Sequence, residues 1–106
     1  MTEASEPIGR GQRAVITAAG TGIGRVLALR FRQAGYRVHV CDISKDALEE
    51  LRSIDSSIAT SLADVSDPAQ VDELFTAAQQ SLGGLDFLIN NAGVVGSGPT
   101  WRFVSL

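Results

Sequence analysis

A chain of 106 residues with a formal net charge of −3 and 44 % hydrophobic residues has the composition of one ordinary globular domain, or part of one. The arginines are scattered from Arg10 to Arg102 with no basic block, and no apolar run reaches about 18 residues, so neither a nucleic-acid partner nor a membrane-spanning helix is expected. One cysteine, Cys41, and one histidine, His39, exclude an internal disulfide and make a cysteine or histidine metal cluster unexpected.

Residues 1–12 hold Pro7, Gly9 and Gly11 among polar and charged residues. They predict a flexible leader with no apolar signal segment, so the expected compartment is the cytoplasm. Residues 13–18 are mostly apolar and β-branched, which suits a strand buried on both faces. The run Thr17-Ala18-Ala19-Gly20-Thr21-Gly22-Ile23-Gly24 follows it directly. A helix is predicted over about 22–34, with Ile23, Val26, Leu27, Phe31 and Ala34 at helical spacing and Gly35 as its stop.

Val38 to Asp42 predicts a second strand, which places His39 and Cys41 in the sheet. Ser44 is a suitable N-cap for a helix over Lys45 to Arg52, with Ala47, Leu48 and Leu51 facing inward. Ile58 to Ala63 is a weaker third strand. Asp67-Pro68 pairs a capping residue with proline at the first helical position. The helix it opens runs to about Leu82 on a stripe of Val71, Leu74, Phe75, Ala78 and Leu82 and ends at Gly83-Gly84. Leu85 to Asn90 is a fourth strand, and residues 96–106 form an irregular tail.

The order is β-α-β-α-β-α-β with short connections and no internal repeat. It predicts a parallel sheet of Rossmann type with helices on both faces. Right-handed crossovers with a reversal after strand 3 give the strand order 3-2-1-4. Ligands in such sheets bind at the carboxyl ends of the strands, where the order reverses. Gly20 to Gly24 and Asn90 to Gly93 fall at that edge.

Glycines after a strand let the backbone approach a pyrophosphate, and the helix that follows offers its first N–H groups to the anion. The bland alternative is a strand-to-helix turn whose glycines serve close packing. The strict G-x-G-x-x-G pattern is not met, because Arg25 stands where its last glycine would be. Asp42 closes strand 2 with Ile43 after it. A carboxylate there accepts hydrogen bonds from both hydroxyls of an adenosine ribose and repels a 2′-phosphate, favouring NAD over NADP. Its other reading is helix capping together with Ser44. Asp64 and Val65 close strand 3, where a carboxylate and an amide can read an adenine edge, although an aspartate there is also ordinary turn chemistry.

Thr17-x-x-x-x-Gly22-Ile23-Gly24, then Asp42, then Asp64-Val65, then Asn90-Asn91-Ala92-Gly93 together resemble the N-terminal half of a short-chain dehydrogenase/reductase. The match covers about residues 13–95. It implies an NAD(P)-binding Rossmann half-domain over 13–95 and hydride transfer between the nicotinamide and an alcohol or carbonyl substrate. It assigns the pyrophosphate turn to Gly20, Thr21, Gly22, Ile23 and Gly24. Asp42 and Ile43 go to the adenosine ribose, Asp64 and Val65 to the adenine, and Asn90, Ala92 and Gly93 to the central strand end beside the cofactor.

Two departures accompany the resemblance. Ala18 stands where the family has the first glycine of its turn, which costs on the order of 1 kcal/mol if that residue needs a positive φ. The family's catalytic serine and Tyr-x-x-x-Lys pair have no counterpart: Val40 lies four residues after the single tyrosine, Tyr36, and the single lysine, Lys45, opens a helix. No catalytic residue is therefore assigned, and the catalytic half is expected to follow strand 4. A non-catalytic nucleotide-binding module and a truncated gene product stay open as readings, and so does a related Rossmann methyltransferase using S-adenosylmethionine. Strand 4, with Leu85, Phe87, Leu88 and Ile89, is expected to be an apolar edge, so that the chain by itself is marginally stable or pairs with another chain through that strand.

Overall fold

The computed structural model describes residues 9–91. Seven elements alternate: β1 (Arg13–Ile16), α1 (Gly22–Gln33), β2 (Arg37–Asp42), α2 (Lys45–Ile54), β3 (Ala59–Leu62), α3 (Pro68–Leu82) and β4 (Phe87–Ile89). Every strand pair is parallel and the order is β3-β2-β1-β4, the predicted Rossmann topology. The register sets Val15 of β1 beside His39 of β2 and Leu88 of β4.

Alternation along the strands divides the interior in two. Ile16, Val38, Val40 and Ile89 face one side, where they pack with Ala28 of α1 and Leu48 and Leu51 of α2. Val15, Cys41 and Leu88 face the other side, against Leu74, Ala78 and Leu82 of α3. Helices α1 and α2 share a face because both crossovers step the same way along the sheet. The step from β3 back to β4 reverses direction, and right-handedness then sends α3 to the opposite face. Leu51 and Leu74 are both almost fully buried, each contributing roughly 2–3 kcal/mol relative to exposure.

Helix ends follow the sequence signals with small shifts. Ser44 caps α2 by accepting from the Ala47 N–H, and Asp67 caps α3 by accepting from the Ala69 N–H. Helix α2 runs to Ile54, two residues beyond the expected Arg52. Gly83 ends α3 in the left-handed region at φ 80°. Strand β1 stops at Ile16 and not at Ala18, because Ala18 turns the chain with φ 52°. Strand β4 is shorter than expected because Asp86 is occupied as a clasp, its carboxylate accepting from the Arg13 backbone N–H and guanidinium.

The expected leader over 1–12 differs at its end. Gly9 is buried, and its N–H donates to Ala34 O while the Gly11 N–H donates to Gly35 O. A Cβ on Gly9 would lie 2.6 Å from the Tyr36 nitrogen, so close approach to the α1–β2 turn is what its glycine serves.

His39 is buried on the α3 face. Its Nδ1 lies 2.7 Å from Ser81 Oγ and its Nε2 lies 2.7 Å from Ser61 Oγ. The Ser81 hydroxyl also reaches Ala78 O, so it donates there and accepts from an Nδ1–H; Ser61 then donates to Nε2. Burial lowers the His39 pKa below its ordinary value. No helix among the described residues is long and apolar enough to cross a membrane.

Candidate functional site

The predicted residues meet at the carboxyl ends of the strands. The Thr17 N–H donates to Ile89 O at 3.0 Å, and the Thr17 hydroxyl donates to Asn90 Oδ1 at 2.8 Å in a buried bond. Asn91 Nδ2 donates to Ala18 O at 3.2 Å. These contacts tie the start of the glycine turn to the end of β4. Ala92 and Gly93, also assigned to this edge, lie outside the described residues.

The glycines have different physical reasons. Gly22 sits at φ 59° with nothing within 4 Å of where a Cβ would stand, so its conformation is what excludes a side chain. Gly24 has no room: a Cβ would come within 2.7 Å of Asn91 Nδ2 and 2.8 Å of Ala19 Cα. Gly20 lets the turn lie against α2 and β2, where a Cβ would meet Ala47 Cβ at 2.8 Å and Asp42 Cγ at 2.9 Å.

Helix α1 begins at this turn with Thr21 as its N-cap residue, in extended backbone and with no side-chain cap. Its first turn contains no acidic residue. Helices α2 and α3 both carry a cap, so α1 alone of the three presents amide donors and a positive dipole end without a side-chain acceptor.

Asp42 lies beside the turn. Its Oδ2 accepts from the Gly20 N–H and its Oδ1 from the Ser44 N–H, each at 2.9 Å. The carboxylate therefore joins β2 to the glycine turn and to the entry of α2. An ionised carboxylate has about four acceptor positions, so these two bonds leave capacity for two further donors. Ile43, next to it, is 74 % exposed, and Leu62 at the end of β3 is exposed as well.

Asp64 closes an Asx turn, its Oδ1 accepting from the Ser66 N–H and hydroxyl. These bonds hold its pKa below the usual carboxylate value. The Val65 side chain packs against the α3-side core. Cys41 is buried, and desolvation pushes its thiol up to about 11, which leaves it protonated and unreactive at neutral pH.

Arg25 was legible only as a departure from a glycine pattern. In the structure its Nε donates to Gly20 O at 2.8 Å and its Nη2 pairs with Glu50 Oε1 at 2.7 Å. Thr17 and Arg25 thus join the site; the pattern marked Thr17 as a motif position without giving its hydroxyl a partner. At the opposite, amino end of the sheet, Arg32, Arg37, Ser57 and Ser81 line a shallow cleft. The arginines there donate to the Tyr36, Leu82 and Ser81 carbonyls, which accounts for them as ties between elements.

Known proteins match this arrangement. The family model described as short chain dehydrogenase matches residues 12–104. The 1-deoxy-11-beta-hydroxypentalenate dehydrogenase of Streptomyces avermitilis is 46 % identical over 87 residues, covering 78 % of this chain and 32 % of that protein. The levodione reductase of Leifsonia aquatica is 35 % identical, covering 99 % of this chain and 43 % of that protein. Among solved structures, the 3-ketoacyl-(acyl-carrier-protein) reductase of Brucella melitensis complexed with NADH superposes with a TM-score of 0.75 at 38 % identity, over 79 % of this chain and 35 % of that one. A short-chain dehydrogenase/reductase of Burkholderia phymatum in complex with NAD gives 0.72 at 38 % identity, over 79 % and 31 %. The chain thus spans between 31 % and 43 % of the length of these relatives. By its matched residues, its topology and its glycine turn, the chain belongs to the short-chain dehydrogenase family.

Proposed function

We propose that this chain is the cofactor-binding portion of an NAD(P)-dependent oxidoreductase of the short-chain type. The observation that carries the reading is the uncapped start of α1 on the glycine turn, with the Asp42 carboxylate fixed beside it. The amides at Thr21, Gly22, Ile23 and Gly24 would hold the pyrophosphate. Asp42 would take the adenosine ribose hydroxyls on its two remaining acceptor positions, with Ile43 beside it. Asp64 and Val65 would border the adenine, and Asn90, with Ala92 and Gly93, the central strand end near the nicotinamide. The nicotinamide supplies the hydride chemistry when bound; these residues bind and orient it.

NAD is the preferred cofactor in this reading. Asp42 places a fixed negative charge where NADP carries its 2′-phosphate, and Ile43 offers no cation to offset it. The substrate class is an alcohol or its carbonyl. A titration of the purified chain with NADH and NADPH, followed by nicotinamide fluorescence, tests the reading. Saturable binding that favours NADH is expected, and folded protein silent to both would overturn it.

A further inference from the structure

We propose that Arg25 is a positioning residue of the glycine turn: its guanidinium draws the Gly20 carbonyl toward α2 and so fixes the direction of the Thr21 N–H. This rests on the nucleotide reading above and deepens it. The peptide units on both sides of Gly20 are held. On the amino side, the Gly20 N–H donates to Asp42 Oδ2 at 2.9 Å. On the carboxyl side, Gly20 O accepts from Arg25 Nε at 2.8 Å. A trans peptide is planar, so the Thr21 N–H is directed opposite to the Gly20 carbonyl, away from the guanidinium. Holding the carbonyl therefore aims the donor.

Gly20 makes this clamp necessary. A glycine permits a wide range of ψ, and Ala47 and Asp42 leave no room for a Cβ that would narrow it, so the carbonyl side needs a partner of its own. Thr21 makes no side-chain cap that would fix the turn from its other end. Arg25 in turn is anchored by Glu50 of α2 at 2.7 Å, so its planar fork spans the turn and the next helix. The pyrophosphate turn and the ribose carboxylate then form one unit, joined through Gly20. A lysine at 25 has a single ammonium and cannot satisfy both partners in the same geometry.

The test is a ladder of ligands against variants of the full chain, with NADH and ADP-ribose carrying the pyrophosphate and adenosine lacking it. Affinities are read by fluorescence for NADH and by amide shift titration for the others. Arg25→Met is expected to weaken NADH and ADP-ribose about tenfold while adenosine stays within about twofold, the size of one charge-assisted hydrogen bond. Arg25→Lys should fall between Arg25→Met and the parent, and serves if the methionine variant does not fold. Glu50→Gln removes the charge but keeps an amide oxygen that accepts from Arg25 Nη2, so the fork stays anchored on α2 and the affinities should stay within about twofold. Equal losses for all three ligands in Arg25→Met, or no loss, would overturn the inference while leaving the nucleotide reading intact. A parent chain that binds neither NADH nor ADP-ribose would remove both.

Discussion

Two of the roughly four acceptor positions of Asp42 are filled by the Gly20 and Ser44 amides, and this gives the residue two duties. Replacing it with alanine should weaken NADH binding by about 1–3 kcal/mol and also lower the midpoint of thermal unfolding, because two backbone donors lose their partner. A drop in melting temperature with unchanged NADH affinity would leave Asp42 only its capping duty. Ala18 is simpler. At φ 52° an alanine is strained, and Ala18→Gly should stabilise the chain by up to about 1 kcal/mol, measured by urea unfolding. The Thr17 N–H bond to β4 and the Asn91 bond to Ala18 O hold the strained residue from both sides. His39 sets a pH window. Burial lowers its folded pKa below the unfolded value of about 6.5, so the unfolded state takes up the proton first. Stability is therefore full above about pH 6.5 and declines as pH falls from there toward the folded value. Substituting His39→Gln should flatten that slope in denaturation series between pH 7 and pH 5. The acidic residues with lowered pKa, Asp55, Asp64 and Asp86, act in a more acidic window, below the ordinary carboxylate value. Asp42 was readable in the sequence because it ends a strand at a fixed distance from the glycines. Its bond to Gly20 was not, since nothing in a one-dimensional pattern places an aspartate against an amide 22 residues away.

At the scale of elements, the three helices differ at their starts, and the difference separates stability from binding. Ser44 and Asp67 satisfy amide donors of α2 and α3, whereas α1 opens without a cap. Asp67→Ala should cost about 1 kcal/mol of stability and leave nucleotide affinity unchanged. Thr21→Asp should do the reverse. A carboxylate at the start of α1 gains a cap and a favourable interaction with the dipole, adding roughly 0.5–1 kcal/mol to stability. The same charge would repel a pyrophosphate, so NADH affinity should fall more than tenfold. If Thr21→Asp raised stability and left NADH binding intact, the start of α1 would not be the anion site. The caps of α2 and α3 were legible because Ser44 and Asp67-Pro68 are local signals. The alternation of strand and helix was legible for the same reason, since periodicity is carried by neighbouring residues. The ends of β1 and β4 were not, because long-range ties decide them. Ala18 leaves β1 where the turn must cross toward β4, and Asp86 is withdrawn from β4 by Arg13, 73 residues earlier in the chain.

At the scale of the molecule, the two faces of the sheet are unequally covered. Helices α1 and α2 lie over β1, β2 and β3 on one face, and α3 alone covers the other, mainly over β2 and β3, with Val15 of β1 and Leu88 of β4 packed at its side. Strand β4 pairs with β1 on one side and, among the described residues, with no strand on its other side. The same end of the sheet shows apolar surface: Phe87 is 43 % exposed with Tyr36 at its ring edge, and Leu85 is 39 % exposed. A strand edge with no partner among the described residues, beside apolar side chains, invites pairing, and for this chain alone the simplest partner is a second copy. Two copies related by a two-fold axis would set β4 against β4, antiparallel, giving one continuous sheet with isologous contacts. We therefore expect the chain to self-associate as its concentration rises, with a sedimentation coefficient that increases between about 10 μM and 1 mM, typical of a weak interface of small area. Leu85→Lys places a charge at the mouth of this edge, the device by which natural edge strands avoid pairing, and should shift the equilibrium toward monomer. Its effect on NADH affinity should be small, because Leu85 precedes β4 while the glycine turn lies past the carboxyl ends of the strands. A compact monomer with a cooperative unfolding transition at the highest concentration, in parent and variant alike, would show that the β4 edge is protected without a second copy.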